Sequence, residues 1–406
     1  MMGNWCEYFM CRFSDYRDRA AGNKAWGMPL AWPPSGWPKR GFGRLVGAGS
    51  LATTIAVGGA SGPASIGPAP RTLAAYSSGA PDTGNPNGHA YVPPAGHAAN
   101  TSDPNHVIGT GTPASCTSAA VVSAVAEGGI ITFNCGPNPV TITMTGTAKV
   151  VNTSHKVVLD GGSKVTLSGG GKIRILYMNT CDRNQKYITN NCWEQRWPQL
   201  VVQNLTFKDA YSAVRQSRAS NYGGGAIFAE GGQLTVVNSA FLDNRCYAYG
   251  PDLGGAGIRA YGMYTGSPVY ITHDTFSGNT CSNGAALSGL DANFNVTNSL
   301  LTANKAIGWG ATPPRPGTPG GGNGGAIYTD GVHYNLIIHG TVMRDNSARE
   351  GGGAIFFVVN AGGGTLRIEH SRLYHNPSGV FQNAPGIFDR VDGHDTAPVV
   401  VDSTIS

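Results

Sequence analysis

Three groups of residues carry the chemistry that this 406-residue sequence offers. The first follows short segments rich in Gly, Ala and Ile. Ala226-Ile227-Phe228-Ala229-Glu230 aligns with Gly257-Ile258-Arg259-Ala260-Tyr261 and with Ala326-Ile327-Tyr328-Thr329-Asp330, and Asp291 follows the shorter version GAALSG. The alignment brings Glu230, Arg259, Tyr261, Asp291 and Asp330 to one corner of successive repeats. Parallel strands stack at about 4.8 Å per step, so carboxylates bridging one or two steps have the spacing of a glycoside hydrolase pair. Glu230, Arg259, Asp291 and Asp330 are therefore the catalytic candidates. Charged residues at corners also simply face water, and that reading stands beside the catalytic one.

The second group lies on inserts of unequal length. The long inserts 211–222 (YSAVRQSRASNY) and 307–321 (IGWGATPPRPGTPGG) flank the shorter YAYGPDLGG at 247–255. Long walls over a short floor make a groove. Arg215, Arg218, Tyr222, Tyr247, Asp252, Trp309 and Arg315 would line it, and Tyr261, at the corner of the first group, joins them as a binding candidate. Aromatic rings stack on sugar faces, and Arg pairs bidentately with uronate or sulfate. The same aromatics could instead cover the flank of the fold. The third group is the loop NTCDRNQKYITNNCWEQRWPQ (179–199), with Arg183, Lys186, Trp193, Arg196 and Trp197. It reads equally as a ligand platform and as a shield. The histidines show no metal-ligand pattern, and no C-x-x-C, His-Glu-x-x-His, Gly-x-Ser-x-Gly or P-loop occurs.

These groups need a scaffold that repeats. Phe207, Phe241, Phe276, Leu301, Met343, Leu373 and Ile405 anchor the repeat. Five positions earlier stand Val202, Val236, Ile271, Val296, Ile338, Ile368 and Val400, and seven earlier an apolar residue recurs again. Three earlier stand Asn204, Asn238, His273, Asn298, Gly340, His370 and Asp402. Three later stand Asn244, Asn279, Asn304, Asn346 and Asn376, with Ala210 breaking the column. The alternation gives strands with one face inward, and the polar position gives a bend. Two short strands meeting at a corner, an Asn corner and a Gly-Gly-Ala-Ile strand make one coil. The expected fold is all-β: a right-handed, single-stranded parallel β-helix whose Asn side chains bond from coil to coil. CTSAAVVSAVAEGG, from Cys116, reads as a short capping helix with Thr117 or Ser118 as N-cap and Gly128 as terminator.

Composition agrees. Gly numbers 60 and charged residues make up only 13%. The net charge of +5 comes without a dense Lys/Arg cluster, so nucleic acid is not an expected partner. Lys39, Arg40 and Arg44 precede a weakly apolar stretch at 45–60, the pattern of a secretory leader too short and Gly-rich to span a membrane. The expected division is a leader at 1–60, a Pro/Gly/Ala/Ser-rich disordered linker at 61–112 and the β-helix at 113–406. Beyond the leader, Cys116, Cys135, Cys181, Cys192, Cys246 and Cys281 suit an oxidising compartment. The register makes Cys246 and Cys281 neighbours on adjacent coils. Cys116 and Cys135 bracket the capping helix and its following strand, and Cys181 and Cys192 close a loop.

The repeat N-S-x-F-x-x-N followed by G-G-A-I resembles the pectate-lyase-like superfamily of secreted β-helix proteins, above all its polymorphic outer-membrane-protein-like branch. ASCTSAAVVSAVAEGGIITFNCGPNPVTITMT resembles the cap and first coils of such proteins, so the likeness covers roughly 114 to 406. It implies a secreted, monomeric protein with an extracellular polysaccharide as partner, an acidic one where the Arg-bearing loops take part. Lysis would call for a carboxylate cluster holding Ca²⁺ or another neutraliser of uronate charge, together with a Lys or Arg base, and hydrolysis for paired carboxylates. No signature motif of pectate lyases or polygalacturonases is present, which leaves a noncatalytic adhesin or structural solenoid as the alternative.

Overall fold

The computed structural model describes residues 83–185, 187–213, 222–310 and 315–406. Residues 78–406 form one compact unit. The expected leader and the first part of the expected linker lie outside the described residues, as do Lys186, Arg215 and Arg218.

A representative coil runs through Gln233–Val237, Ala240–Leu242, Arg245–Cys246 and Ile258–Tyr261 before the next begins at Val269–Thr272. The first two strands join a 17-stranded sheet, the third a 5-stranded sheet and the fourth a 9-stranded sheet. Successive coils pair in parallel through all three. The anchors are consecutive partners: Phe207 with Phe241, Phe241 with Phe276, then Leu301, Met343, Leu373 and Ile405. The architecture is all-β, with long parallel sheets compatible with a β-helix solenoid. The two-residue strands of the 5-stranded sheet were not foreseen; they are too short for an alternation to show.

The inward residues form one continuous apolar interior. Phe207, Phe241 and Phe276 stack within it at centroid separations of 5.0 and 4.6 Å. Corners consume polar backbone, and two side-chain ladders satisfy it. Asn244 donates from Nδ2 to Asn279 Oδ1 at 3.0 Å, Asn279 to Asn304 at 2.8 Å, Asn304 to Asn346 at 2.9 Å and Asn346 to Asn376 at 2.9 Å. Each Nδ2 also reaches a main-chain carbonyl, as from Asn304 to Phe276 at 3.0 Å. The second ladder starts where Leu205 N–H donates to Ser239 Oγ and runs on through Asp274, Ser299, Thr341, Ser371 and Ser403, each accepting from the main-chain N–H one coil earlier.

The Asn/His/Gly/Asp column three before the anchor has a conformational cause. Asn204, Asn238, His273, Asn298, Gly340, His370 and Asp402 all have positive φ, between 45 and 60°, a region that Asn, Asp and Gly tolerate best. His273 and His370 are thus left-handed corner residues. The Gly-Gly pair divides its labour: Gly324 has φ of 65°, while a Cβ on Gly325 would collide with the Gly353 carbonyl of the next coil.

The helix forms at Ser118–Glu127, with Thr117 Oγ1 accepting from Ala120 N–H at 3.2 Å and Gly128 ending it at φ 81°. It buries Val121, Ala124 and Val125 against the first coils. Cys116–Cys135, Cys181–Cys192 and Cys246–Cys281 are joined, with Cα separations of 5.7, 5.1 and 4.8 Å.

Residues 83–112 depart from the linker expected of their composition. Asn85 donates from its main chain to Asn298 O and from Nδ2 to Gly340 O, both at 2.8 Å. Ala90 donates to Asn298 Oδ1, Ala99 to Gln203 Oε1 and Thr101 to Asp160 Oδ2. His106–Ile108 then pairs in parallel with Gly129–Phe133. A Pro/Gly/Ala-rich segment makes no core of its own, yet its free main chain can bond to a row of polar corners.

Candidate functional site

The 9-stranded sheet turns alternate residues outward, and the outward positions form two columns. One holds Tyr177, Phe228, Arg259, Ser288, Tyr328 and Phe356; the other holds Asn179, Glu230, Tyr261, Leu290, Asp330 and Val358. Rings stack at both ends of the first column: Tyr177 on Phe228 at 5.5 Å, Tyr328 on Phe356 at 5.1 Å. Between them stand Arg259 and Ser288, the small residue of the shortest repeat, GAALSG, and both are buried under the surrounding inserts.

Two of the four catalytic candidates are sealed. Arg259 is 1% exposed, donating to Ser288 Oγ and, at 2.6 Å, to the Asp252 carbonyl, with its guanidinium 5.6 Å from the Tyr222 ring centroid. Glu230 is 4% exposed and accepts from Asn179 Nδ2 at 2.7 Å, while its carbonyl receives Thr180 N–H at the base of the disulfide loop. Asp291 stands one residue beyond the column, at a corner with φ of 50°, and its carboxylate accepts Val332 N–H at 2.8 Å. The shorter GAALSG segment places Leu290 in the register, so Asp291 serves the turn.

Asp330 remains in place and partly open. Tyr328 Oη donates to its Oδ2 at 3.1 Å and Asn360 Nδ2 to its Oδ1 at 2.6 Å. Burial pushes its carboxyl up to about 7, with the Asp252 charge adding to the rise and the two donors opposing it. The Tyr222 hydroxyl is pushed up to about 12, first by burial, with Asp252 and Glu230 raising it and Arg259 lowering it. Tyr261 is raised by burial first and then by Tyr222 and Glu230. The patch therefore presents phenol donors that keep their protons and one carboxyl that holds its proton near neutral pH.

Tyr222 and Asp252, assigned from sequence to the insert groove, thus meet the third-strand residues instead. The disulfide loop joins them: a Cβ on Gly262 would lie 3.2 Å from that of Trp193, and Thr265 Oγ1 donates to Glu194 Oε2. Trp197 has another task, stacking on His155 at 5.0 Å. Trp309 and Arg315 are held elsewhere. Trp309 lies under the Arg349 guanidinium at 5.1 Å, and Arg315 pairs with the buried Glu350. Tyr328 and Asn360 were missed in the sequence. Tyr328 was legible, since it follows Ile327 as Arg259 follows Ile258.

Among the described residues no group of three His, Cys, Asp or Glu is arranged to hold a metal ion, so the Ca²⁺ expectation finds no donor set there. Nor is any described helix long and apolar enough to cross a membrane. No family model matches the chain, and no curated protein or solved structure is significantly similar to it.

Proposed function

We propose that this chain is a secreted, right-handed parallel β-helix protein of the pectate-lyase-like kind that binds an extracellular polysaccharide across the outer face of the 9-stranded sheet. The carrying observation is one outward face that holds Asp330, bonded by Tyr328 and Asn360 and acted on by the Asp252 charge, beside Tyr222 and Tyr261, which meet Glu230 and Arg259. Tyrosines offer faces for sugar rings and hydroxyls for sugar oxygens, at little entropic cost. The three disulfides suit an oxidising compartment.

On this reading Asp330 also acts as proton donor to a glycosidic oxygen, and Asp252, whose charge acts on it, is the second carboxylate. A carboxyl near 7 delivers a proton at neutral pH, whereas an ordinary one cannot. Hydrolysis is favoured over lysis because Arg259, the candidate base, is bonded and buried. A second reading, noncatalytic binding, draws on the same burial of Arg259 and Glu230. Affinity electrophoresis through gels of neutral, uronate and sulfated polysaccharides tests the binding. Retardation that disappears in Tyr261→Ala supports it; unretarded migration in every gel, with the protein folded, overturns it.

A further inference from the structure

The 5-stranded sheet has an outward face of a different character. Tyr211, Arg245, Thr280, Lys305 and Ser347 follow one another in register. Arg245 and Lys305 are both exposed, two rungs and so about 10 Å apart. The Arg245 guanidinium lies 5.9 Å from the Tyr211 ring centroid. Beside this column a groove of about 440 Å³ is lined by Tyr211, Arg245, Tyr247, Thr280 and Ile307, among others. The strip continues to Arg349, whose guanidinium covers Trp309.

Neither Arg245 nor Lys305 has a carboxylate within ion-pair distance among the described residues. The acids of the preceding left-handed corner, Asp209 and Asp243, do not line the groove. Cations are usually solvated and scattered; here Arg245 and Lys305 stand two coils apart in one outward column, with Thr280 between them and Tyr211 and Tyr247 beside Arg245 in the groove. The separation of Arg245 from Lys305 is near the length of a disaccharide. We infer that this face is a second binding site, specific for the anionic groups of an acidic polysaccharide, sulfate esters or uronate carboxylates. Tyr211 and Tyr247 supply the sugar-ring contacts, and Arg245 and Lys305 hold successive anions. Arg makes the paired, directional contact and Lys the point charge.

The inference rests on the reading above only in taking the ligand to be a polysaccharide. Calorimetric titration at moderate salt would use a sulfated hexasaccharide, an oligogalacturonate of equal length and a neutral hexasaccharide. Tighter binding of one or both anionic chains is expected, and the stronger arm identifies the anion. Arg245→Gln with Lys305→Gln should weaken it at least tenfold and flatten its salt dependence, and Tyr211→Ala should weaken it without changing the salt slope. Both positions are exposed, and an unchanged melting temperature confirms that the variants fold. Equal affinity in the double variant, or equal competition by a single-stranded DNA of the same charge, would overturn the assignment. Asp330→Asn separates the two sites: lost cleavage with unchanged anion affinity is a property of the 9-stranded sheet alone.

Discussion

Glu230 and Asp330 stand in one outward column of the 9-stranded sheet, three rungs apart, with Tyr261 and Leu290 between them. At about 4.8 Å per rung the two strands are about 14 Å apart, beyond the carboxylate separations of both retaining and inverting glycosidases. Glu230 and Asp330 therefore lie too far apart to act as one pair, and the proposed reading takes Asp252, whose charge acts on Asp330, as its partner. Asp330→Asn should lower cleavage at least a hundredfold with little change in affinity. Glu230→Gln should leave turnover within a few-fold and act on stability through Asn179. Rates and melting temperatures of both variants check this.

The same carboxyl sets a pH dependence. Its folded value is about 7 against an ordinary 3.8. Between these values the folded chain keeps a proton that the unfolded chain has lost, so stability falls as pH rises through the window. Above pH 7 the whole cost is present. Asp330→Asn should therefore be more stable than the natural chain at pH 8, by about 1–3 kcal/mol after allowing for partial solvent screening, and no different near pH 4. Cleavage should fall on the alkaline side with an apparent pKa near 7, as for an essential acid.

The Asn ladder makes a sharper claim about stability. Asn304 is fully buried; its Nδ2 serves Phe276 O and Asn346, and its Oδ1 receives both the N–H and the Nδ2 of Asn279. Asn304→Ala leaves donors and acceptors on two neighbouring coils unpaired and should cost about 2–4 kcal/mol. Urea unfolding gives the value. A loss below 0.5 kcal/mol would mean the ladder is incidental.

The segment at 83–105, bonded along the row of polar corners, is a strap that offers a test of cooperation between distant segments. A chain beginning at residue 106 lacks the bonds from Asn85, Ala90, Ala99 and Thr101 to the corners. It should be less stable than one beginning at 83, by on the order of 2–4 kcal/mol, and melt at a lower temperature. Amides of Asn298 and Gln203 should lose exchange protection. Equal melting would show the strap to be a passive covering.

What could be read ahead of the structure follows from the range of each interaction. The anchor column, the Asn corners and the partnership of Cys246 with Cys281 repeat at fixed offsets, and one aligned row exposes them. The Ser/Thr/Asp ladder was equally visible at Ser239, Ser299 and Ser371, but Asp274 and Thr341 vary the residue type while keeping the acceptor, which hides the column. Nothing local tells Ala90 that it will meet Asn298. Nothing local places Trp193 beside Gly262, because each contact depends on how an insert folds back over several coils. Tyr222 and Asp252 were grouped with Trp309 and Arg315 for the same reason. Their common origin on inserts was legible, and their separate destinations were not.

The most direct measurement is release of reducing ends from a panel of neutral, uronate and sulfated polysaccharides by the folded chain, beside Asp330→Asn, with unsaturated uronate absorbance followed in parallel. The expected result is new reducing ends without that absorbance from at least one substrate, abolished in the variant. Absorbance rising with the ends, or release undiminished in Asp330→Asn, would contradict hydrolysis by Asp330; no release, with the glycan nonetheless bound, would leave binding as the whole function.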